Sequence, residues 1–273
     1  MISFLVENIS KKKPTTNTTN TTHNKPMKTK TFITAAVLAT AMHASAATIS
    51  IISVNFQGGQ NPSTGPDVTG TAGYVPADNW NNATGVAGTV NSLMDDSGAS
   101  TSSSVTWTTF NTWDLQNGDG NGTDQDMMSG YLDNFNVGGP QTLTISGIQP
   151  NKGYDIYVYF NREQETYTGI TASDGTNTNT YYARDNGSNY ATNGYMISSD
   201  DNIGDGWTDA NVFQFTGYTG STLDFSAPGD PGAPGAWKVY VQGIQLVVTV
   251  PEPSSTALLG LGGVALMLRR RRK

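Results

Sequence analysis

Residues 154–160 have the sequence YDIYVYF, which is the strongest β-strand signal in the chain. Side chains alternate between the two faces of a strand, so the even-numbered residues share one face and Tyr157 and Tyr159 share the other. The two tyrosines would form either a second apolar layer or an aromatic platform for a ligand. The run at 141–146 and a turn at 147–153 predict that this strand is one arm of a hairpin.

Similar short runs recur along the chain, bounded by Gly, Asn, Asp and Pro. Further strands are predicted at 49–56, 105–110, 166–172, 178–183, 212–215, 222–226 and 237–250, the last with a break near Gly243, and one helical turn is predicted at 124–132. This pattern predicts an all-β fold, an antiparallel two-sheet β-sandwich of the jelly-roll type. The architecture resembles the galactose-binding-like and carbohydrate-module sandwiches, although no residue motif of those families is present.

The N-terminal region has the order of a secretory signal peptide. Residues 27–46 have a short basic start, a mostly apolar run at 31–42, and the small residues Ala44 and Ala46 where a signal peptidase cleaves. We expect a signal helix here and cleavage before Ala47. The apolar run is too short to cross a hydrocarbon core of about 30 Å by itself.

The C-terminal region joins a proline signature, an apolar segment and a basic block. The parts are Pro251, Glu252 and Pro253, then residues 257–268, then Arg269, Arg270, Arg271, Arg272 and Lys273. Proline keeps the signature extended, and the basic block stays on the cytoplasmic side of a membrane. In this order the three parts resemble the sorting tail of the PEP-CTERM family of exported proteins. The resemblance implies processing by an exosortase; the alternative is an ordinary tail anchor.

The predicted organisation has four parts. They are a disordered or wrongly assigned leader at 1–26, the signal peptide at 27–46, the sandwich domain at 47–250, and the sorting tail at 251–273 with a short hydrophobic helix. The true start is Met1 or Met27. We expect signal peptidase and exosortase as partners, transient contact of the tail with the inner membrane, and a final location at the cell envelope, on the outer surface or outside the cell.

The sandwich domain is strongly acidic. Between residues 47 and 250 the cations are Lys152, Arg162, Arg184 and Lys238, against 18 Asp and two Glu, so the net charge is −16, compared with −7 for the whole chain. Such a domain repels nucleic acid, which we therefore exclude as a partner, and attracts divalent cations.

Cysteine is absent, and both histidines, His23 and His43, lie before the predicted cleavage point. The domain therefore has no thiol or imidazole for nucleophilic catalysis, for histidine acid–base catalysis or for the usual zinc sites. We predict that the protein is not an enzyme.

One acidic, glycine-rich loop is a candidate calcium site. Its proposed ligands are Asn117, Asp119, Asn121, Asp124 and Asp126, oxygen donors whose spacing is similar to the first half of a calcium loop. The bidentate Glu expected at position 12 of such a loop is replaced by Met128. The alternative is a polar turn in which the side chains bind their own backbone and Asp124 caps the helical turn.

Aromatic residues are candidates for stacking on sugar rings. The set comprises Trp80, Trp107, Trp113, Trp207, Trp237, Tyr157, Tyr159, Tyr181 and Tyr182. We single out Tyr157, Tyr159 and Trp207, the last in a second acidic loop at 200–209, as a ligand-binding set. The alternative is that they pack within the fold.

The sequence thus predicts an exported, exosortase-sorted, non-enzymatic envelope protein associated with extracellular polysaccharide or matrix. One alternative is a carbohydrate-binding module that acts alone. The other is a glycosidase that uses Glu163 and Glu165, which lie at the tip of a predicted hairpin at 161–165, because glycosidases act through paired carboxylates.

Overall fold

In the computed structural model of the protein, the described residues are 49–133, 142–149, 152–186, 190 and 194–249. The strands in this part of the chain are β1 (Ile49–Phe56), β2 (Asn81–Ala83), β3 (Ala87–Val90), β4 (Ser104–Thr108), β5 (Asn111–Asp114), β6 (Gly130–Asp133), β7 (Thr142–Ser146), β8 (Tyr154–Tyr159), β9 (Glu165–Ser173), β10 (Thr178–Asn186), β11 (Ile197–Ser198), β12 (Val212–Tyr218), β13 (Thr222–Ser226) and β14 (Gly243–Thr249). The helical elements are α1 (Asp124–Met127) and a 3-10 turn at Ile203–Asp205. The predicted leader, signal peptide and sorting tail lie outside the described residues. Within those residues, no helix has the length and apolar character needed to cross a membrane.

Two six-stranded sheets form the domain. The first has the order β11-β12-β8-β14-β1-β2, and the second has the order β10-β9-β13-β7-β4-β3. Eight of these strands have the neighbour order of a jelly roll, β1-β14-β8-β12 in one sheet and β7-β13-β9-β10 in the other, and every pair among them is antiparallel. Strands β5 and β6 form a separate antiparallel ribbon. The prediction of an all-β sandwich is confirmed.

The main core lies between the two sheets. Ile156 and Val158 of β8 point inward from the first sheet, and Leu143, Ile145 and Ile170 point inward from the second, all of them buried. The period-two alternation of each strand places these side chains on one face, and burying them is the main stabilising contribution in a sandwich.

A second apolar cluster covers the outer face of the first sheet. It comprises Val68, Ala72, Trp80, Met127, Met128, Tyr157, Tyr159 and Val212. The Tyr159 hydroxyl accepts a hydrogen bond from the Tyr74 backbone N–H at 2.8 Å and also contacts Gln245 Oε1. This polar link ties the loop that precedes β2 to the sheet beneath it, so β8 is buried on both faces.

The structure contradicts both predicted hairpins around β8. Strand β7 belongs to the second sheet and β8 to the first, and β9 is again in the second. The segments before and after β8 therefore cross between the sheets instead of turning back along one of them. Alternation identifies a strand but not its partner, because the partner depends on contacts distant in sequence.

Other boundaries also differ from the predictions. The helical turn ends at Met127, and β6 begins at Gly130, so the predicted helix at 124–132 was too long. The last strand begins at Gly243, where the sequence predicted a break. Strands β2, β3, β5, β6 and β11 were not predicted, because they have at most four residues each and are too short to show a periodic pattern.

Candidate functional site

A cleft of about 250 Å³ lies between the β5–β6 ribbon, the segment that follows β8, and the segment that precedes β14. We call it the Trp113 cleft. Its lining residues are Asn111, Trp113, Leu115, Tyr131, Asp133, Arg162, Glu163, Gln164 and Lys238. Apart from Leu115, each of them carries a side-chain hydrogen-bonding group. The cleft is therefore suited to a ligand with many polar groups and at least one apolar face.

Trp113 stands at the surface on a fixed backbone. Its side chain is 36% exposed, and its neighbours along β5 on either side are buried. Gly58, with φ at +75°, lies so close behind the strand that a Cβ atom there would come within 2.6 Å of the Trp113 carbonyl oxygen. The next residue, Asp114, donates its backbone N–H to the Asn61 carbonyl at 2.7 Å. The backbone that carries the tryptophan is thus fixed before any ligand arrives.

Asp133 brings a buried carboxylate to the cleft. Its residue is 6% exposed, and its Oδ1 atom is buried with no hydrogen-bond partner among the described residues. The Thr109 hydroxyl donates to the Asp133 backbone carbonyl at 2.7 Å, which fixes this end of β6. A buried carboxylate oxygen without a partner is costly, and since Oδ1 has almost no exposed surface, a ligand would contact Asp133 through the part of the residue that lines the cleft.

Arg162 is positioned from three sides. Its backbone N–H donates to the buried Asp185 carboxylate at 2.5 Å, and Nη1 donates to the Thr166 hydroxyl at 3.4 Å. The guanidinium carbon lies 5.7 Å from the centre of the Tyr240 ring, a cation–π distance. Burial raises the pKa of the neighbouring Tyr131 hydroxyl, and the Arg162 charge opposes that shift. Tyr131 therefore remains a neutral donor or acceptor at the cleft wall.

A larger cavity of about 380 Å³ lies near the start of β1 and the end of β14. Ser50, Ile52, Ile148 and Val248 are among its lining residues. It contains neither an exposed aromatic ring nor a buried polar atom lacking a partner, so among the described residues the Trp113 cleft is the better candidate for a binding site.

The predicted calcium loop uses its carboxylates internally. Asp126 is buried and accepts hydrogen bonds from the backbone N–H groups of Gly120 and Gly122, at 2.9 and 2.5 Å. Asp119 accepts from the backbone and side chain of Asn121, as in the alternative polar turn. In the described part of the chain, no group of three or more His, Cys, Asp or Glu side chains could hold a metal ion, so the three carboxylates of this loop do not converge.

Asp124 does not cap the helical turn. The residue at the N-cap of α1 is Thr123, whose side chain makes no capping hydrogen bond. The Asp124 carboxylate instead accepts from the Gly73 backbone N–H at 2.7 Å and from the Tyr195 hydroxyl at 2.5 Å. Of the other two proposed ligands, the Asn117 carbonyl accepts from the Gln125 side chain, and the Asn121 side chain binds Asp119.

Tyr157 and Tyr159 do not form a solvent-facing platform. Tyr159 has no exposed surface and Tyr157 is 6% exposed, because both lie in the second apolar cluster. Tyr74 covers Tyr157 at a ring-centre distance of 5.4 Å. These positions agree with the alternative of a second apolar layer.

Trp207 lies within an aromatic cluster on the outer face of β9 and β10. Its ring is 4.7 Å from that of Tyr167 and 6.3 Å from those of Tyr182 and Trp237. Asp209 in the same loop forms an ion pair with Arg184 at 2.5 Å. The structure thus gives Trp207 aromatic neighbours and places it apart from Tyr157 and Tyr159.

The two glutamates are separated. Glu163 lines the Trp113 cleft, whereas Glu165 does not and accepts a hydrogen bond from the Tyr167 hydroxyl at 3.2 Å. The second carboxylate of the cleft is Asp133. Asp133 and Lys238 were not predicted as site residues, because their neighbours in sequence contain no motif. Trp113 was predicted only as one member of the aromatic set and was not distinguished from the other tryptophans.

Comparison with known proteins identifies the tail. Residues 249–272 match the family model described as the PEP-CTERM protein-sorting motif. The chain carries a PEP-CTERM sorting motif. It is thus an exported, envelope-targeted protein, and the motif implies an exosortase as its processing partner.

The remainder of the chain has distant similarity at most. A comparison with curated proteins gives no significant match. Among solved structures, the ANX1 ectodomain from Arabidopsis thaliana is 12% identical, with a TM-score of 0.37, over 76% of this chain and 50% of that one. The chain thus spans half the length of that ectodomain. A TM-score of this size establishes neither a shared fold nor a shared function.

Proposed function

We propose that this protein is a non-enzymatic envelope protein that binds extracellular polysaccharide through the Trp113 cleft. The predicted signal peptide would start its export, and the sorting motif would direct the sandwich to the outer surface or to release from the cell. The Trp113 cleft would then hold a segment of polysaccharide. The observation that supports this most is an exposed tryptophan on a fixed strand beside a set of hydrogen-bonding side chains.

The chemistry of the cleft suits a sugar. A sugar ring has an apolar C–H face, which stacks on an indole, and hydroxyl groups on its edge. Gln164 can both donate and accept hydrogen bonds, Asn111 keeps its amide N–H donors while its side-chain oxygen accepts from Asn61 at 2.9 Å, and the Asp133 carboxylate lines the cleft as an acceptor. Since Gly58 and Asn61 already fix the strand below Trp113, little ordering is needed on binding, which lowers its entropic cost.

A glycosidase is the second candidate, because two carboxylates share the cleft. Asp133 is buried and Glu163 is exposed, and glycosidases place one carboxylate on each side of the bond that breaks. If the cleft catalyses hydrolysis, Glu163→Gln and Asp133→Asn will each abolish release of reducing ends from a bound polysaccharide. We expect the unaltered protein to release no reducing ends, in which case neither variant can show a loss of activity.

Affinity electrophoresis tests binding directly. The purified protein should migrate more slowly in gels that contain the recognised polysaccharide, and Trp113→Ala should weaken binding by about tenfold or more. Tyr74→Ala is a matched control, because Tyr74 is 44% exposed but does not line the cleft. Equal retardation of the Trp113 and Tyr74 variants would contradict a role for the cleft.

A further inference from the structure

We infer that the Trp113 cleft recognises a carboxylate-bearing sugar, a uronic acid unit of an acidic polysaccharide. This inference rests on the proposed function and gives the class of its ligand. It is carried by the placement of positive charge in a domain that has very little of it.

Two of the few cations of the sandwich domain converge on this cleft. Residues 47–250 contain four cations and 20 acidic side chains, yet Arg162 and Lys238 line the same cavity. They are far apart in sequence, and the fold brings them together from the segment after β8 and the segment before β14. In a domain of net charge −16, these two cations offset the charges of Asp133 and Glu163, so the cleft repels an anion less than the domain as a whole does.

Neither cation is neutralised by an ion pair in the described part of the chain. The ion pair found there joins Arg184 to Asp209. Asp133 and Glu163 line the same cleft, but neither has a carboxylate oxygen within 4.0 Å of the Arg162 or Lys238 side-chain nitrogens. The two cations and the two carboxylates of the cleft balance in number, but without a direct ion pair Arg162 and Lys238 keep N–H donors for a ligand.

Arg162 has contacts within the protein that support its guanidinium before a ligand binds. Tyr240 supports its guanidinium at 5.7 Å, and Thr166 contacts one terminal nitrogen at 3.4 Å. A guanidinium held in one plane can bind both oxygens of a carboxylate, which is stronger and more selective than a contact with a mobile ammonium. Lys238, with its backbone N–H bonded to the Tyr167 carbonyl at 3.0 Å, adds a second charge to the same cavity.

Several groups of the cleft then have a counterpart on a uronic acid. The sugar carboxylate would bind Arg162 and Lys238, a hydroxyl would donate to the Asp133 carboxylate where this residue lines the cleft, and the ring face would stack on Trp113. Glu163 is exposed at the rim, where solvent screens its repulsion of the ligand carboxylate. A neutral sugar would satisfy Asp133 and Trp113 but would leave the two cations unused.

Matched acidic and neutral polymers test this assignment. The probes are alginate, polygalacturonate and hyaluronan, each beside the same polymer with its carboxyl groups methyl-esterified, and the measurement is the Kd of the full protein by titration calorimetry. We expect at least one acidic probe to bind about tenfold or more tightly than its ester. Arg162→Gln and Lys238→Gln should each reduce that preference, and Arg184→Gln, a cation outside the cleft, should leave it unchanged.

The possible results separate the inference from the function on which it rests. Equal affinity for acid and ester, weakened in both by Trp113→Ala, would overturn the charge assignment and leave polysaccharide binding intact. A preference for acid over ester that is unchanged in both Arg162→Gln and Lys238→Gln would also overturn the charge assignment. No affinity for any of the six polymers would overturn the inference, and if no neutral polysaccharide retards the protein in affinity gels either, the proposed function would be overturned as well.

Discussion

Two surface regions of this domain contain tryptophan, tyrosine, arginine and aspartate. In the aromatic cluster, Trp207 has ring contacts with Tyr167, Tyr182 and Trp237 at 4.7 to 6.3 Å. In the Trp113 cleft, Trp113 has no ring contact with another described aromatic residue and is 36% exposed. The same type of side chain is therefore used for packing in one region and remains open in the other.

The arginines differ in the same way. Arg184 pairs with Asp209 at 2.5 Å, whereas Arg162 is held over the Tyr240 ring and forms no ion pair with a described residue. Composition does not separate the two regions, because both combine aromatic rings with charges of both signs. What separates them is whether neighbouring residues of the chain already satisfy the groups, and only unsatisfied groups can contribute much to binding a ligand.

The largest expected effect is on stability in the aromatic cluster. Trp237 packs over Gly169, where a Cβ atom would come within 2.9 Å of its ring, so Trp237→Ala should reduce the free energy of unfolding by about 2–4 kcal/mol. Trp113→Ala should cost less, about 1 kcal/mol, because Trp113 is 36% exposed and has no ring contact with another described aromatic residue. Denaturant unfolding measures both.

Trp237→Phe is the control for this prediction. The indole Nε1 atom of Trp237 is buried with no hydrogen-bond partner among the described residues, so phenylalanine keeps a ring and removes this donor. Trp237→Phe should reduce the free energy of unfolding much less than Trp237→Ala does. A larger loss of stability from Trp113→Ala than from Trp237→Ala would show that the two regions have been assigned the wrong way round.

A smaller effect is expected at the ion pair of the aromatic cluster, and it depends on pH. The hydrogen bond from Arg184 lowers the pKa of Asp209 in the folded state. The stability that the Asp209 carboxylate contributes is therefore fully present above its unfolded-state pKa of about 3.9. This contribution is lost as the pH falls through the lower folded-state pKa. Because both side chains are over a third exposed, Asp209→Asn should cost at most about 1 kcal/mol at pH 7.

This pH dependence has a simple control. The cost of Asp209→Asn, measured by denaturant unfolding, should shrink progressively below about pH 4. Asp201→Asn, an exposed residue of the same loop, should have little effect at any of these pH values. A cost at Asp209 that stays constant down to pH 2 would show that the ion pair does not stabilise the fold.

The smallest effect is expected from calcium. Asp119 and Asp126 already accept hydrogen bonds from their own loop, so millimolar calcium should change Tm by less than about 1 °C. Magnesium serves as the comparison ion. A rise of several degrees that is specific to calcium and is removed by Asp119→Asn would restore the metal site that the sequence predicted.

Sequence alone predicts the sandwich well because its main strands alternate. The bounds of β1 and β13 agree with those predicted, and β4, β7 and β13 have apolar residues at every second position. It predicts the strand partners poorly, since β8 was paired with β7 although the two lie in different sheets. Pairing is decided by the packing of the whole core, which a local pattern does not contain.

The cleft could be predicted only in fragments. Trp113 belongs to the aromatic set, and Arg162 lies beside the suspected glutamates, but Asp133 and Lys238 reach the cleft from distant parts of the chain. In the more conspicuous motif, the acidic loop, the carboxylates of Asp119 and Asp126 accept hydrogen bonds from other residues of the same loop. A dense local motif can meet its own hydrogen-bonding needs, whereas a binding site assembled from distant residues has no sequence signature.

The most direct test compares the affinity of three proteins for one retained polysaccharide: the unaltered chain, Trp113→Ala and Trp207→Ala. The account predicts that Trp113→Ala raises Kd by about tenfold or more while unfolding is nearly unchanged. Trp207→Ala should keep the original Kd at a temperature where it is fully folded, despite lower stability. The account would be contradicted if Trp207→Ala lost affinity and Trp113→Ala kept it.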